Sequence, residues 1–317
     1  MKETIQLILK GMSMGIAEVI PGVSGGTLAF ITGIYERLLS AIRSFDLAFF
    51  EMLKSQKFRD AWYRIDGFFL VRVLMGMAIG FVFGLKLIVG LLVTHPIQIW
   101  SFFFGLILAS IPLIAKQVNR WGFVEVLGLI MGSVTVYWIT VASPAQGSDN
   151  WAMVFLSGVI GISALMLPGL SGSFVLLLMG MYTVIMPSIE RFIHAPFGSE
   201  TGLIIVFAAG MVVGLFTFSR LLGHTFQRHR NPTLAVLTGF LIGSLNKVWP
   251  WQSVLSMRTN SKGEQVVQFS ESVLPDTFAA LSSNPVYGTD PQTLTCTVIM
   301  MGAVGVIFFL DRFSSTK

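Results

Sequence analysis

The chain has 317 residues, of which 54% are hydrophobic and 12% are charged, and its mean hydropathy is +0.76. A soluble domain with a polar exterior does not reach this balance, so the composition predicts a polytopic membrane protein. The net charge of +5 does not indicate a nucleic-acid partner, because the basic residues cluster beside apolar segments, where they orient membrane helices. A single cysteine excludes an intrachain disulfide, and the four histidines lack metal-ligand spacing, so neither a metal nor another cofactor is expected.

Eight apolar elements follow one another along the chain, in two sets of four. They run over residues 5–42, 68–93, 97–115, 123–141, 152–193, 201–222, 233–249 and 294–310. Proline interrupts the first element at Pro21 and the fifth at Pro168. About 20 helical residues cross a bilayer core, and the arms beside each proline are mostly shorter. Each broken element is therefore a re-entrant hairpin or a pair of short tilted spans.

The same motif marks both breaks. The sequence PGVSGG at residues 21–26 recurs as PGLSGS at residues 168–173. The shift of 147 residues (168 − 21) that aligns the prolines also aligns Gly33 with Gly180 and Tyr35 with Tyr182. A weaker echo, which needs a gap, pairs residues 80–84 with residues 210–214. Backbone groups freed in hydrocarbon are tolerated only where they line a cavity or bind something, so the matched breaks predict one shared site.

The loop charges predict the orientation, because Lys and Arg accumulate on the cytoplasmic side of a membrane. With both termini cytoplasmic, most basic loop residues fall inside, whereas loop 143–150, which has none, falls outside. Three full crossings then separate the two breaks, so the second set of elements enters from the opposite face. This arrangement is an inverted-topology repeat.

The predicted fold is therefore an all-α polytopic membrane protein with two inverted repeats. The first, residues 1–142, has a re-entrant hairpin over 5–42, an amphipathic helical segment over 46–66 on the inner surface, and three membrane helices. The second, residues 151–317, has a re-entrant hairpin over 152–193, three membrane helices and an outer polar loop over 251–291. Secondary transporters often use inverted repeats with interrupted helices and hold substrate near the midplane.

Each proline is followed by Gly-x-Ser-Gly at the start of a new apolar helix. This places unpaired backbone N–H groups, a hydroxyl and the positive end of a helix dipole together, which attracts an anion. The alternative is that the hydroxyls only cap a kinked helix, but two symmetric motifs favour ligand binding. The substrate-binding candidates at the breaks are Gly22, Ser24, Gly25, Gly26, Thr27, Gly169, Ser171, Gly172 and Ser173.

Ionisable residues within apolar segments are the second signal, because they usually face a protein interior or a water-filled cavity. Glu18 lies three residues before Pro21, and the matching position in the second half is Leu165. Glu18 is a proton-coupling candidate, and the competing interpretation is a fixed ion pair with Arg72 or Lys86.

Three further basic residues are candidates for binding an anionic substrate. Arg37, near the cytoplasmic boundary, can meet a phosphate bidentately or extend to the interface. Arg220 lies in an apolar segment. Lys247 lies beside Trp249 and Trp251, which are typical of an interfacial aromatic belt, where a lysine can bind an anionic headgroup.

The motifs resemble the polyprenyl-phosphate translocase family over nearly the whole chain. The segments that carry the resemblance are EVIPGVSGGT (18–27), GIYER (33–37), FFFGLILAS (102–110), LPGLSGSF (167–174), GMY (180–182) and GSLNKVWPW (243–251). The resemblance implies a multi-pass protein of the bacterial inner membrane that returns undecaprenyl phosphate from the outer to the inner leaflet. It also implies phospholipid neighbours, and the sequence is compatible with a homo-oligomer.

Three other functions compete with lipid transport. A channel or exchanger for a small inorganic anion would also use paired helix ends at the midplane. A lipid phosphatase or transferase needs a nucleophile with a base or a metal, and no histidine falls near either break, so an enzyme is not expected. A purely structural role for the glycines would make bulk at Gly25 or Gly172 harmful while Ser24 and Ser171 tolerate alanine.

Overall fold

The computed structural model describes residues 2–19, 24–143, 145, 147–194, 198, 200–259, 265–281 and 283–314. These residues are mostly helical. In chain order the helices are α1 (Lys2–Glu18), α2 (Gly25–Ile31), α3 (Tyr35–Arg43), α4 (Leu47–Lys54), α5 (Phe58–Arg64), α6 (Gly67–Thr94), α7 (Pro96–Ala115), α8 (Phe123–Val141), α9 (Trp151–Met166), α10 (Gly172–Leu178), α11 (Tyr182–His194), α12 (Thr201–Arg228), α13 (Arg230–Ser244), α14 (Pro275–Ala279) and α15 (Thr293–Ser314). Two antiparallel strands, β1 (Gln252–Thr259) and β2 (Gln265–Ser272), precede α14.

Four of the described helices, α6, α7, α8 and α12, are long and apolar enough to cross a membrane. Helices α10 and α11 pass the same test only together, and they are bent by 116° at the break between them. Shorter apolar helices run over Trp151–Met166 and Thr293–Phe308. The described residues are thus mostly helical with several candidate membrane spans, which is consistent with the predicted all-α polytopic membrane protein.

Both proline-broken elements fold into three helices, whereas each was predicted to have two arms. The additional breaks lie at Gly33 and Gly180, whose φ angles are +72° and +71°. Glycine adopts this left-handed conformation without the clash that a Cβ atom would cause, so the chain turns sharply there. The hydrogen bonds of the two turns also match, since Gly33 N–H donates to Phe30 O at 3.1 Å and Gly180 N–H to Leu177 O at 2.9 Å.

The chain forms two compact units that do not coincide with the halves of the sequence. The first unit comprises Met1–Ile88 and Ala145–Thr233, and the second comprises Val89–Pro144 and Leu234–Lys317. Each unit therefore takes segments from both halves. The repeat boundaries at 1–142 and 151–317 stay a prediction from the sequence.

Glycines allow close helix pairs within the first unit. A Cβ atom added at Gly76 of α6 would lie 2.2 Å from Ile8 O of α1, and one added at Gly210 of α12 would lie 2.2 Å from Phe155 O of α9. Gly80 meets Met12 O and Gly214 meets Val159 O in the same way, at 2.1 and 2.6 Å. Gly76 and Gly80 therefore correspond to Gly210 and Gly214. The sequence echo had paired residues 80–84 with 210–214, which is a shift of one helical turn from the correspondence in the structure.

The second unit packs α7 against α15 and α8 against α13. A Cβ atom at Gly105 would lie 2.5 Å from Met300 O, and one at Gly239 would lie 2.2 Å from Leu129 O. Residues 251–291 are more structured than the predicted outer polar loop, since they contain the β-hairpin and α14. The hairpin is also a departure from the all-α prediction. Its strands are short and rich in polar residues, so they do not stand out as apolar elements.

The predicted amphipathic segment over 46–66 is two short helices, α4 and α5, instead of one. The chain reverses between them at Gln56, whose φ is +56°. Asp46 caps α4 by accepting a hydrogen bond from Phe49 N–H at 3.0 Å, and its hydrogen bonds with Arg64 hold the pKa of the Asp46 carboxyl below its usual value. Several exposed apolar side chains lie on these helices, namely Leu47, Phe50, Phe58, Trp62 and Tyr63.

Candidate functional site

The two glycine-rich breaks contact each other within the first unit. Gly169 N–H of the second break donates to the buried Thr27 Oγ1 of the first at 3.0 Å. Tyr35 OH, at the start of α3, donates to Met166 O at 2.6 Å. Gly26 lies so close to the end of α9 that an added Cβ atom would be 2.7 Å from Leu165 O. Residues about 140 positions apart in the chain are thereby brought together.

Two side chains beside the first break accept hydrogen bonds from backbone N–H groups in the first turn of α2. Ser24 is fully buried and caps α2 by accepting a hydrogen bond from Thr27 N–H at 3.2 Å. Glu18 Oε1 accepts a hydrogen bond from Gly25 N–H, the first amide of α2, at 2.6 Å. This carboxylate therefore occupies a position where the sequence predicts an external anion. Pro21, Gly22 and Val23 lie outside the described residues, and the prediction for Gly22 lies there with them.

The sequence leaves two interpretations of Glu18 open, proton coupling and a fixed ion pair with Arg72 or Lys86. Among the described residues, no ion pair joins Glu18 to Arg72 or Lys86. The guanidinium of Arg72 instead lies 5.9 Å from the centre of the Phe68 ring, and Lys86 is exposed. The structure thus shows Glu18 bound to backbone and gives no support to the fixed ion pair.

The helix that follows the second break packs as α2 does, but it meets no carboxylate among the described residues. Gly172 packs on α9 as Gly25 packs on α1, and the position of Glu18 is taken by Leu165, whose Cβ would lie 3.2 Å from a Cβ atom at Gly172. Ser171 occupies the N-cap position of α10 but makes no side-chain cap hydrogen bond. Its hydroxyl is instead 2.9 Å from the hydroxyl of the exposed Ser173. The start of α10 is therefore left without a capping side chain.

Arg37 is paired with carboxylates. Its Nε and Nη2 donate to Asp66 Oδ2 and Oδ1 at 2.6 and 3.2 Å, and its Nη1 lies 3.4 Å from Glu3 Oε1. Its guanidinium also stacks 4.4 Å from the centre of the Phe69 ring. A phosphate that binds Arg37 bidentately must therefore compete with Asp66.

Arg220 lies in α12, where its Nη1 donates to Phe216 O at 3.2 Å. It lines an open cavity of about 660 Å³ together with residues of α3 and the following turn. None of the residues that line this cavity belongs to the two breaks. The sequence therefore identified Arg220 as a candidate, but the structure places it in a different part of the first unit.

Lys247 belongs to the second unit, in the turn that follows α13. Burial lowers the pKa of its ammonium group to about 8. The indole N–H groups of the neighbouring tryptophans donate hydrogen bonds within the protein. Trp249 Nε1 donates to Val273 O at 2.8 Å, and Trp251, which is 4% exposed, donates to Pro291 O at 2.7 Å.

Sequence reasoning missed two groups that organise the site. The first is the hydroxyl of Tyr35, and its signal was the repetition of Tyr35 as Tyr182 at the same spacing from each break. The second is the amide of Gly25 as the partner of Glu18, because the break between α1 and α2 interrupts the helical periodicity that would otherwise relate residues seven apart. A glutamate and a glycine seven apart meet here only because α2 folds back on α1.

These features define a multi-pass membrane protein whose interrupted helices meet in one compact unit. Residues 14–266 match the model of the VCA0040-like family, described as undecaprenyl phosphate translocase-like, and the chain belongs to that family. A polyprenyl-phosphate transporter of Vibrio cholerae serotype O1 is 41% identical over 306 residues, covering 96% of each chain. A polyprenyl-phosphate transporter of Staphylococcus aureus is 30% identical over 257 residues, covering 77% of this chain and 85% of the relative. No solved structure gives a significant match.

Proposed function

We propose that this protein transports polyprenyl phosphate, in particular undecaprenyl phosphate, from the outer to the inner leaflet of the bacterial cytoplasmic membrane. Membership of the translocase-like family and the names of the two relatives support the substrate. The structural observation that carries the proposal is the contact between the two breaks, where Gly169 N–H meets Thr27 Oγ1. A transporter of this kind needs a polar point inside the bilayer for the headgroup, while the isoprenoid tail stays in lipid.

The proposed topology is an inverted repeat with two re-entrant hairpins and both termini in the cytoplasm. Matching contacts support the repeat: Gly11 meets Val73 O at 2.2 Å as Gly158 meets Phe207 O at 2.4 Å, measured from an added Cβ atom. The matching left-handed turns at Gly33 and Gly180 support it further. The opposed entry of the two hairpins rests on the distribution of basic loop residues.

In the proposed mechanism the phosphate is first held at the second break. Ser171 and Ser173 offer hydroxyl donors there, Gly172 contributes the first backbone N–H group of α10, and Gly169 N–H becomes a further donor when its bond to Thr27 Oγ1 breaks. A change of conformation by alternating access then carries the headgroup to Ser24, Gly25, Gly26 and Thr27, and Arg37 receives it near the cytoplasmic boundary. The second break acts first because no carboxylate occupies it.

Glu18 gives this mechanism a basis for proton coupling. Gly25 N–H donates a hydrogen bond to the Glu18 carboxylate. A phosphate at the first break would use the same N–H group. A phosphate and an ionised carboxylate that share one N–H group repel each other. The substrate therefore enters when Glu18 takes up a proton and turns away. Loss of that proton restores the Glu18–Gly25 hydrogen bond and expels the phosphate.

The test is leaflet transfer in liposomes that contain the purified protein and a labelled polyprenyl phosphate. We expect transfer by the parent protein, and slower transfer by Ser171→Ala, Glu18→Gln and Arg37→Ala. The matched control is Ser133→Ala, because the Ser133 hydroxyl bonds to Leu129 O within its own helix. Absence of transfer by the parent would overturn the proposed function.

Two further measurements separate the competing functions. Flux of inorganic phosphate or chloride without lipid transfer would establish the anion channel instead. Release of phosphate from the labelled lipid would establish a phosphatase. Equal transfer by the parent and all three variants would leave transport standing and remove the assignment of the site.

A further inference from the structure

An open cavity of about 660 Å³ lies in the first unit, between the end of α3 and the last turns of α12. Its lining is polar and basic, with one apolar residue. The lining residues are Ser40, Arg43, Ser44, Asp46, Arg220, Leu221, His224 and Gln227. The volume lies within the range of about 300–1,000 Å³ that is usual for small-molecule sites.

The cavity has two arginines whose charge is not neutralised by an acidic partner. Asp46, its one acidic lining residue, is engaged by Arg64, whose Nε donates to Asp46 Oδ1 at 3.1 Å. Among the ion pairs of the described residues, none includes Arg43 or Arg220. Two guanidinium groups therefore face an open space without a carboxylate of their own.

The position of Arg43 depends on a glycine in the opposite helix. A Cβ atom added at Gly223 of α12 would lie 2.3 Å from Arg43 Nη1 and 2.5 Å from its Cδ. Gly223 thus lets the guanidinium lie across α12 instead of extending into solvent. Arg220, His224 and Gln227 follow one another at helical spacing along α12, so they line the same side of the cavity.

This combination of groups fits a phosphate. Guanidinium groups bind phosphate oxygens through paired, charge-assisted hydrogen bonds, and the hydroxyls of Ser40 and Ser44 add further donors. Leu221 lines the cavity and is 57% exposed, which places an apolar surface beside the basic groups. A ligand with a phosphate head and a hydrocarbon tail satisfies both.

We propose that this cavity binds the monophosphate headgroup of a lipid, and that it holds polyprenyl phosphate as the substrate leaves the protein. The inference rests on the proposed function, and it places the exit on the predicted cytoplasmic side, where Arg228 and Arg230 follow the cavity in the chain. The cavity is then a second phosphate position, distinct from the two breaks. Arg43 and Arg220 are its main binding residues.

The test measures the binding of farnesyl phosphate to the purified full-length protein in nanodiscs of neutral lipid. The Arg43→Gln/Arg220→Gln double variant should bind it about tenfold or more weakly, because two charge-assisted contacts are lost. Gly223→Ala should also weaken binding, although it removes no charge, because the added methyl group displaces Arg43. Arg59→Gln is the matched control, since exposed Arg59 stacks on Tyr63 outside the cavity and should leave binding unchanged.

Two competing probes identify the source of the phosphate. Inorganic phosphate should compete only weakly with farnesyl phosphate, because it lacks a hydrocarbon tail. Vesicles of phosphatidylglycerol should also compete weakly, because their headgroup is a phosphodiester. Equal competition by inorganic phosphate would overturn the lipid part of the proposal, and equal competition by phosphatidylglycerol would overturn its preference for a monophosphate. Undiminished farnesyl phosphate binding by both the double variant and Gly223→Ala would overturn the site.

Leaflet transfer by the same variants distinguishes this inference from the proposed function. If the parent transfers lipid, and the double variant binds and transfers as well as the parent does, then the exit site is wrong and the transport function stands. Arginine-dependent binding without transfer by the parent would keep the site and sink transport. If the double variant fails to fold, as judged by its unfolding temperature, the single change Arg220→Gln at an exposed position provides the same comparison.

Discussion

The helices that follow the two breaks, α2 and α10, pack in the same way on the preceding helices and differ in the side chain that they meet there. Gly25 and Gly172 both pack their new helix against the preceding one, and Gly33 and Gly180 both turn the chain with positive φ. At the first break, Glu18 accepts the hydrogen bond of Gly25 N–H, whereas at the second the same position holds Leu165. Symmetry of the backbone therefore does not give symmetry of charge.

In the proposed mechanism, this difference gives the two breaks different roles in handling an anion. A site whose amide already binds an internal carboxylate must release it before an external phosphate can enter. A site lined by hydroxyls and an apolar residue has no such step. Substitutions at the breaks and at Lys247 test that division of roles.

The contact between the breaks is tested most directly at Gly26. Gly26→Ser adds a Cβ atom 2.7 Å from Leu165 O, so we expect the breaks to separate, stability to fall by about 1–3 kcal/mol and lipid transfer to stop. The matched change is Ser173→Gly, at the equivalent position of the second break, where the side chain is exposed, so thermal stability should change little even though a proposed headgroup donor is lost. Thermal unfolding in detergent and leaflet transfer measure both. Equal losses of thermal stability in the two variants would contradict the difference between the two breaks.

Charge at the breaks is the next variable. Glu18→Gln keeps an acceptor for Gly25 N–H but removes the titration, so lipid transfer should slow about tenfold and lose its dependence on an imposed proton gradient. Leu165→Glu should give the second break the carboxylate that it lacks and weaken headgroup capture there. Transfer rates measured with and without a pH gradient check both changes. A gradient response that survives in Glu18→Gln would exclude Glu18 as the coupling residue.

Tyr35 tests whether the hydrogen bond across the breaks matters by itself. Tyr35→Phe removes the donor to Met166 O and leaves that carbonyl without it, so we expect a loss of about 1–3 kcal/mol in unfolding free energy. Tyr63→Phe, at an exposed position of α5, is the control and should change little. Unfolding in denaturant measures both variants, and equal stability of the two would show that the cross-break contact is energetically minor.

Lys247 separates the pH dependence of the breaks from that of the second unit. Its pKa of about 8 means that it is charged below that pH and neutral above it. Any contribution of Lys247 to headgroup binding is therefore present at pH 7 and lost as the pH rises through about 8, with an expected effect of about fivefold or less. Binding of farnesyl phosphate between pH 7 and 9 measures this loss. Lys247→Met should flatten the profile without changing the gradient response assigned to Glu18.

The sequence predicted the continuous helices closely. Elements over 68–93, 97–115 and 123–141 correspond to α6, α7 and α8 within two residues at each end, because a long uninterrupted apolar run has few alternatives in a membrane. It was less successful where structure is short and polar. The β-hairpin and the separation of α4 from α5 depend on local turns that hydropathy does not register.

The candidate site was predicted in outline. Both breaks and the equivalence of Ser24 with Ser171 followed from the repeated motif. The partner of Glu18 did not follow, nor did the engagement of Arg37 by Asp66, because both depend on how the short helices fold back. The basic cavity was missed for the same reason, since Arg43 and Gly223 lie far apart in the chain.

The amino-acid sequence is enough to place this chain in a membrane, to locate the interruptions of its helices, and to relate the two interruptions to each other. Prolines, glycines and apolar runs fix these properties because backbone polar groups must find partners within a few residues in a low-dielectric medium. Three properties become visible only in the folded protein: the contact between the two breaks, the carboxylate on the Gly25 amide next to the first break, and the two arginines that line one cavity. Those outcomes depend on close packing between segments distant in sequence, which no local pattern encodes.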